Sequence, residues 1–470
     1  MRGPVRPNAA IAGRVLQDPE ERLYFEVTLK HRPGPAHLPG VRPRYIKFIC
    51  RALFWTYPSA VTPVRERTLT DLPSSLLHPI IQMRSPGSKS AAVLVTLSAL
   101  TIGVAVRCKG QQPATPNPTQ TAPAATASVQ SPDSAEKVVG GPYAVNVGPR
   151  SATLMWVVQT GTASLGSVPG NQGRTAPILA SRKTVLTGLQ AGREYSYQAF
   201  PGPNGSGSFK TPPAGAARFQ FVVYGDTRTR HDVHRTVIAG VLKYSNPDFV
   251  VHTGDLVENG NDASLWPIFF DIERPLLSKV AFYPTLGNHE RGAKNYVDFM
   301  DAKPYYSFDW GTAHFSVIDS DLASAAPTQA ERNAFWAEET KWLESDLQSA
   351  QKADFRFLVA HHPPMTAVRN RQGDNPHMTA LEPMLEKYKL TAGFFGHDHN
   401  YQHYLLNGVH YFITGGGGAP LYDVDLPPAG ITKKAVSTEN FVVINVDGAK
   451  AHVQAFKPNG ESLDAQDLGR

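Results

Sequence analysis

The spacing of apolar positions changes character along the chain. Residues 1–82 mix Arg, Pro and scattered aromatics with no sustained period, which predicts a non-domain extension. Ala91 to Val106 is a run of 16 residues without a charge. Arg84 and Lys89 precede it, and Cys108 and a Pro/Thr/Ala/Gln-rich stretch to about Ser134 follow. From Val138 to Pro212 the period becomes two, in Ala144-Val145-Asn146-Val147, Ala152-Thr153-Leu154-Met155-Trp156 and Glu194-Tyr195-Ser196-Tyr197. Leu186-Thr187-Gly188-Leu189 and Gly192 punctuate the run, so a compact β-unit is expected. From Arg218 onward short apolar runs alternate with helical stretches. Phe219–Tyr224, Asp248–Thr253, Phe355–Ala360 and Ala392–Phe395 read as buried strands, each leading into Gly, Asp or His. His231–Tyr244 puts Val233, Val237, Ile238 and Val241 on one helical face. Thr328–Leu347 does the same with Phe335, Trp342, Leu343 and Leu347, Thr328 standing as N-cap. Alternating strands and helices predict an α/β sheet. Phe441–Val446 and Ala451–Phe456 around Asp447-Gly448 predict a closing β-hairpin.

The order of positive charge, apolar run and flexible tail predicts a secretory signal over residues 83–108 and a linker over 109–137. Sixteen residues fall short of the roughly 20 that a spanning helix needs. Cys108 offers a lipid-attachment reading, opposed by Val106-Arg107 where small residues are usual. A signal belongs at a chain's beginning, so Met83 is the expected start and residues 1–82 an extension. A single membrane anchor behind a cytoplasmic tail is the alternative. The expected location is therefore exported: periplasmic, extracellular or at the cell surface, with a membrane tether as the variant.

At 470 residues, two or three units are expected. The sequence pI of about 9.1 suggests nucleic acid until the charges are located. Residues 1–110 hold 16 basic and 6 acidic groups, while the remainder holds 30 and 34. The expected folded body is mildly acidic, which argues against phosphate-backbone binding. The two cysteines, Cys50 and Cys108, both precede that body and supply neither a disulfide framework nor a cysteine metal site.

The chemistry concentrates at strand ends, in Gly225-Asp226, Gly254-Asp255, Gly287-Asn288-His289-Glu290, His361-His362-Pro363-Pro364 and Gly396-His397-Asp398-His399. A single Gly-Asp pair marks a turn, and a lone His is more often structural. Together, two Asp, one Asn and three or four His after successive strands converge ligands suited to Mn, Fe or Zn on one sheet edge. His252 reads as core, and His231, His234, His403 and His410 lack a partner pattern. His377 follows a Gly/Asn/Pro-rich loop, Gln372–Pro376, that has a cleft-lining reading. The glycines of Thr414–Gly418 allow close backbone approach but lack the Lys and helix of a phosphate-binding loop.

The ordered series resembles the calcineurin-like metallophosphoesterases over roughly Phe219 to Gly460. The Val138–Pro212 segment resembles a fibronectin type III domain and the N-terminal domain of purple acid phosphatases. The resemblance implies a four-layered α/β/β/α sandwich, residues 218–460, preceded by a small all-β sandwich, residues 138–212. It also implies two metal ions, Mn, Fe or Zn. Asp255 would bridge them, Asp226 and His399 would bind the first, and Asn288, His361 and His397 the second. His362 is the alternative to His361. His289 would contact the phosphate or protonate the leaving group. Glu290 either orients His289 or faces solvent.

Two departures from the family pattern stand out. Asp226-Thr227-Arg228 replaces the Asp-x-His of many members, and Glu258 stands where purple acid phosphatases carry a Tyr. No purple enzyme is expected. The first metal is then under-ligated, weakly held, or completed by Glu258. Arg228 either binds the substrate phosphate or pairs structurally with Glu258. The expectation is an exported, metal-dependent hydrolase of small phosphate mono- or diesters, without nucleic-acid partners. The alternative is a catalytically degenerate surface protein that binds through its β-domain.

Overall fold

The computed structural model describes residues 136–166 and 173–469, and the backbone of three strands before residue 52. Those three strands are Ile11–Gln17 (β1), Leu23–Lys30 (β2) and Tyr45–Arg51 (β3). They pair antiparallel in the order β1-β2-β3 within a first unit, Met1–Asn117. They fall inside the stretch read as a non-domain extension. The expected signal segment, and the linker up to residue 135, lie outside the described residues.

The second unit, Pro118–Arg470, contains everything else. It opens with Lys137–Val145 (β4), Ser151–Leu165 (β5) and Arg174–Thr187 (β6), followed by a short hairpin of Glu194–Gln198 (β7) and Ser206–Lys210 (β8). Next come Arg218–Tyr224 (β9), the helix His231–Tyr244 (α1), Phe249–His252 (β10), the helix Trp266–Leu277 (α2), Ala281–Pro284 (β11) and the helix Lys294–Met300 (α3). The chain then crosses to Tyr306–Trp310 (β12) and Ala313–Val317 (β13), and through the helices Leu322–Ala325 (α4) and Gln329–Ser349 (α5) to Phe355–Val359 (β14). The helices Pro376–Thr379 (α6) and Glu382–Lys387 (α7) lead to Ala392–Phe395 (β15), Tyr401–Leu406 (β16), Val409–Thr414 (β17) and Thr432–Val436 (β18). Phe441–Asp447 (β19), Lys450–Phe456 (β20) and Ser462–Leu468 (β21) return to the first sheet.

Two large mixed sheets result, with strand orders β21-β20-β19-β9-β10-β11-β4-β5-β6 and β12-β13-β14-β15-β17-β16-β18. Strands β9, β10 and β11 are mutually parallel, as are β13, β14, β15 and β17. Parallel strands are buried on both faces, which explains why these segments read as continuous apolar runs. Phe221, Val223, Phe249 and Val251 point from the first sheet to Phe315, Phe357, Phe394 and Phe412 of the second, forming the core between them. The Phe221 ring meets Phe315 edge-on at 5.2 Å and Phe357 at 5.6 Å. On the outer face of the first sheet, Val222 and Tyr224 pack with Val237, Ile238, Trp266 and Phe270 of α1 and α2. Leu358 and Tyr411 of the second sheet pack with Leu343, Leu347 and Leu385 of α5 and α7. The fold is the expected four-layered α/β/β/α sandwich.

The expected small sandwich over residues 138–212 takes a different form. β4 pairs parallel with β11 through Ala144 and Ala281, so β4–β6 extend the first large sheet. Their apolar residues have no core of their own: Ala152 and Leu154 join the inter-sheet core, Tyr143 and Met155 the helical layer beneath α2. Only β7 and β8 stand in a separate sheet, where Tyr195 stacks on Phe209 and its hydroxyl accepts from the Gln190 N–H at 2.8 Å. A two-residue period specifies a strand's buried face but not the sheet it joins. The same sheet also runs on past residue 460, through β21.

Candidate metal centre

The residues singled out by sequence stand at the C-terminal ends of parallel strands, where an open α/β sheet presents its loops. Asp226 follows β9, Asp255 follows β10, Asn288 follows β11, His361 follows β14, and His397 and His399 follow β15. Asp226, Asp255 and His397 all have left-handed backbones, with φ of 57°, 56° and 68°. A non-glycine residue there is strained by about 1 kcal/mol or more, and such strain gathers at functional sites. Glycines make the crowding feasible. A Cβ at Gly287 would fall 2.3 Å from Asp255 Oδ1, and one at Gly417 would fall 2.2 Å from the Gly225 carbonyl. The glycine run thereby lies against the Asp226 turn, and Ala419 N–H donates to the Asp226 carbonyl at 2.8 Å.

Four of the expected ligands converge closely. Asn288 Oδ1 lies 2.9 Å from His361 Nε2 and 3.0 Å from His397 Nδ1, and these two nitrogens are 3.2 Å apart. Asp255 Oδ1 lies 3.4 Å from His361 Nε2. Ligand atoms about 2.1 Å from one ion are separated by about 3.0–3.4 Å, so this set fits a metal. His361 Nδ1 donates to the Thr253 carbonyl at 2.8 Å, which leaves the Nε2 lone pair facing inward. Burial lowers the pKa of His361 and His397 and keeps both imidazoles neutral, as metal binding requires. His362 clusters with them, but its Nδ1 meets Ser320 Oγ at 3.0 Å, so His361 is the one that touches Asn288 and Asp255.

The other position is differently furnished. Asp226 Oδ1 lies 3.6 Å from His399 Nε2, and His399 Nδ1 donates to the Pro420 carbonyl at 2.6 Å. Burial takes His399 down to about 3. Asp226, Asp255 and His361 form a second group of mutually close ligand atoms. Burial and the neighbouring Asp255 push the Asp226 carboxyl up. Burial pushes Asp255 the same way, but His361, His289 and Arg228 outweigh it and hold that carboxylate ionised. Arg228 Nε lies 3.3 Å from Asp255 Oδ2, and Arg228 Nη1 donates to Glu258 Oε2. The ion pair with Glu258 is therefore formed. The guanidinium also reaches the carboxylate expected to bridge two ions.

His289 is partly exposed, its side chain at 19%. Its Nδ1 donates to the Glu258 carbonyl at 2.7 Å, and its Nε2 stands 4.0 Å from Asp255 Oδ2. Glu290 follows neither of its two expected readings. It is fully buried and accepts four backbone N–H groups, from Asp255 at 2.9 Å, Leu256 at 2.8 Å, Val257 at 3.3 Å and Gly287 at 2.8 Å. It ties the loop bearing Asp255 to the loop bearing Asn288. Arg371 and Tyr422 were not foreseen either. The Arg371 guanidinium lies against His397 Nε2 and 4.5 Å over the Tyr422 ring, and that ring stacks on His399 at 4.2 Å. The signal for Arg371 was its place beside the Gly/Asn/Pro-rich loop. His377 at the end of that loop meets the Ser320 carbonyl at 3.1 Å and stays outside the metal cluster. His252, read as core, is fully buried against Thr227 and Tyr224.

Residues 219–401 match the family model of the calcineurin-like phosphoesterases. The chain carries a calcineurin-like phosphoesterase domain. Its relatives include tartrate-resistant acid phosphatase type 5 of Rattus norvegicus, 26% identical over 244 residues, a match covering 43% of this chain and 74% of that protein. Purple acid phosphatase 22 of Arabidopsis thaliana is 26% identical over 298 residues, covering 56% of this chain and 65% of that one. Among solved structures, a purple acid phosphatase from yellow lupin (Lupinus luteus) seeds shares the fold at a TM-score of 0.55 and 18% identity, covering 70% of this chain and 74% of its own. The family match and these relatives support a metal-dependent phosphoester hydrolase, with phosphate esters as the substrate class.

Proposed function

We propose that this chain is an exported phosphoesterase that hydrolyses small phosphate mono- or diesters at the centre formed by Asp226, Asp255, Asn288, His361, His397 and His399. The observation that carries this reading is the convergence of Asp255 Oδ1, Asn288 Oδ1, His361 Nε2 and His397 Nδ1, with contacts of 2.9–3.4 Å. A divalent ion held there supplies Lewis acidity at a phosphate oxygen and lowers the pKa of water. Mn, Fe and Zn all suit this donor set. Asp255 receives the His289 backbone N–H at 3.0 Å, which fixes its carboxylate for ligation. The Glu258 carbonyl holds His289 Nδ1, so Nε2 is the atom that delivers a proton to the departing oxygen. The Arg228 guanidinium, 12% exposed beside Asp255, supplies a fixed positive charge for a phosphate oxygen.

Export rests on the 16-residue uncharged run behind Arg84 and Lys89. Among the described residues no helix is long and apolar enough to cross a membrane.

The test uses the full chain, purified with its metal content measured, on a chromogenic phosphomonoester and a bis-ester. Metal-dependent turnover that Asn288→Ala abolishes supports the reading, and the ratio of the two rates assigns the ester class. No turnover and no retained metal would instead favour a surface binding protein that has lost the chemistry.

A further inference from the structure

We infer that the Arg228 guanidinium takes the place of the second cation, so that the centre holds one tightly bound metal ion, at Asp255, Asn288, His361 and His397. This rests on the phosphoesterase reading and says how this chain's version of the centre is built.

The two oxygens of Asp255 have different surroundings. Oδ1 faces His361 Nε2 at 3.4 Å and takes the His289 N–H at 3.0 Å. Oδ2 faces Arg228 Nε at 3.3 Å. An ion ligated by Oδ2 at about 2.1 Å would stand within about 5 Å of the guanidinium, where buried like charges repel strongly. The guanidinium is not easily displaced. Its side chain is only 12% exposed, and Nη1 is anchored on Glu258. Glu258 is in turn committed, since its Oε2 also accepts from Thr229 Oγ1 at 2.7 Å. The position beside Asp226 thus keeps Asp226 and His399 as donors, while the third, Asp255 Oδ2, already faces a positive charge.

Chemistry makes the substitution workable. A guanidinium is permanently charged and planar, and presents N–H groups that suit phosphate oxygens. Arg228 Nε, buried against Asp255 Oδ2, makes no hydrogen bond of good geometry within the protein and holds its charge there by ion pairing. One ion and one fixed guanidinium together neutralise and orient a phosphate ester, as two ions do. Unlike an ion, the guanidinium does not dissociate when metal is scarce.

The experiment loads the full chain with Mn(II), removes loosely held metal by gel filtration, and measures metal per chain together with the electron paramagnetic resonance spectrum. The expected result is about one Mn per chain with the spectrum of an isolated ion, rising toward about two with an exchange-coupled spectrum in Arg228→His, which replaces the cation by a ligand. Arg228→Ala, which only removes the cation, is expected to take up a second, weaker ion. Two tightly held, coupled ions in the unaltered chain overturn the inference without any variant, as does an unchanged single ion in a folded Arg228→His. Retention of no metal by any of the three proteins overturns the phosphoesterase reading itself, and this inference with it.

Discussion

Replacing Glu290 by Gln removes a charge and almost no volume, which makes it a sharp probe of how the two ligand-bearing loops are held. Glu290 Oε1 accepts from Leu256 and Val257, and Oε2 from Asp255 and Gly287. A carboxylate satisfies all four donors. An amide offers one oxygen, and its NH2 end would confront the other two N–H groups. Two buried donors would lose their acceptor, at about 1–3 kcal/mol each, so Glu290→Gln should cost about 2–6 kcal/mol. Burial and Asp255 push the Glu290 carboxyl well above the usual carboxylate range, against the opposing pull of the N–H donors of Gly287, Val257 and Asp255. The reasoning requires the ionised form, since an acid proton would take up one of the lone pairs that these donors need. The assay is urea unfolding of the metal-free protein in chelator, so that ligand binding adds nothing to the measured stability. A loss under about 0.5 kcal/mol would refute it, because it would mean that a neutral side chain serves these donors equally well.

Two further perturbations test other parts of the framework. Burial pulls the His314 pKa down, but hydrogen bonds to Asp309 and Asp346 carry it to about 9, against about 6.5 unfolded. A raised folded pKa contributes stability in full below the unfolded value and loses it as pH rises through the folded one. The thermal-stability gap between the unaltered chain and His314→Gln should therefore shrink between about pH 6.5 and 9, and a gap constant over that window would sink the assignment. Thr328 caps α5 in a reciprocal box, accepting from the Glu331 N–H at 3.3 Å while its own N–H donates to the Glu331 carboxylate at 3.0 Å. Thr328→Ala should cost about 1 kcal/mol in the same unfolding assay, without altering metal content.

Much of the catalytic fold was legible because its signals are local. The helical stretch His231–Tyr244 coincides with α1 in its bounds, and the Thr328 cap stands where the sequence put it. The placement of the polar clusters was legible because each follows a strand whose continuous apolar run marks burial on both faces. What escaped was non-local. Glu290 reads as one more charged residue beside a histidine, since its partners are backbone N–H groups that no side-chain pattern encodes. The contact of Arg371 with His397 joins residues 26 positions apart through a loop whose path composition does not fix. The union of β4 with β11 rests on a pairing of Ala144 with Ala281, two alanines that no motif connects.

That union bears on how the molecule can be inherited and cut. The Pro212-Pro213 pair looks like a seam between two portable modules, yet the hydrogen-bonded sheet crosses it. A gene fragment beginning at Arg218 would leave β11 with an open edge and strip Tyr143 from its 5.1 Å stack on Phe270. Open edges recruit foreign strands. The N-terminal strands are therefore closer to a retaining wall than to a passenger, and lineages that shuffle domains would have to carry both sides of the seam together.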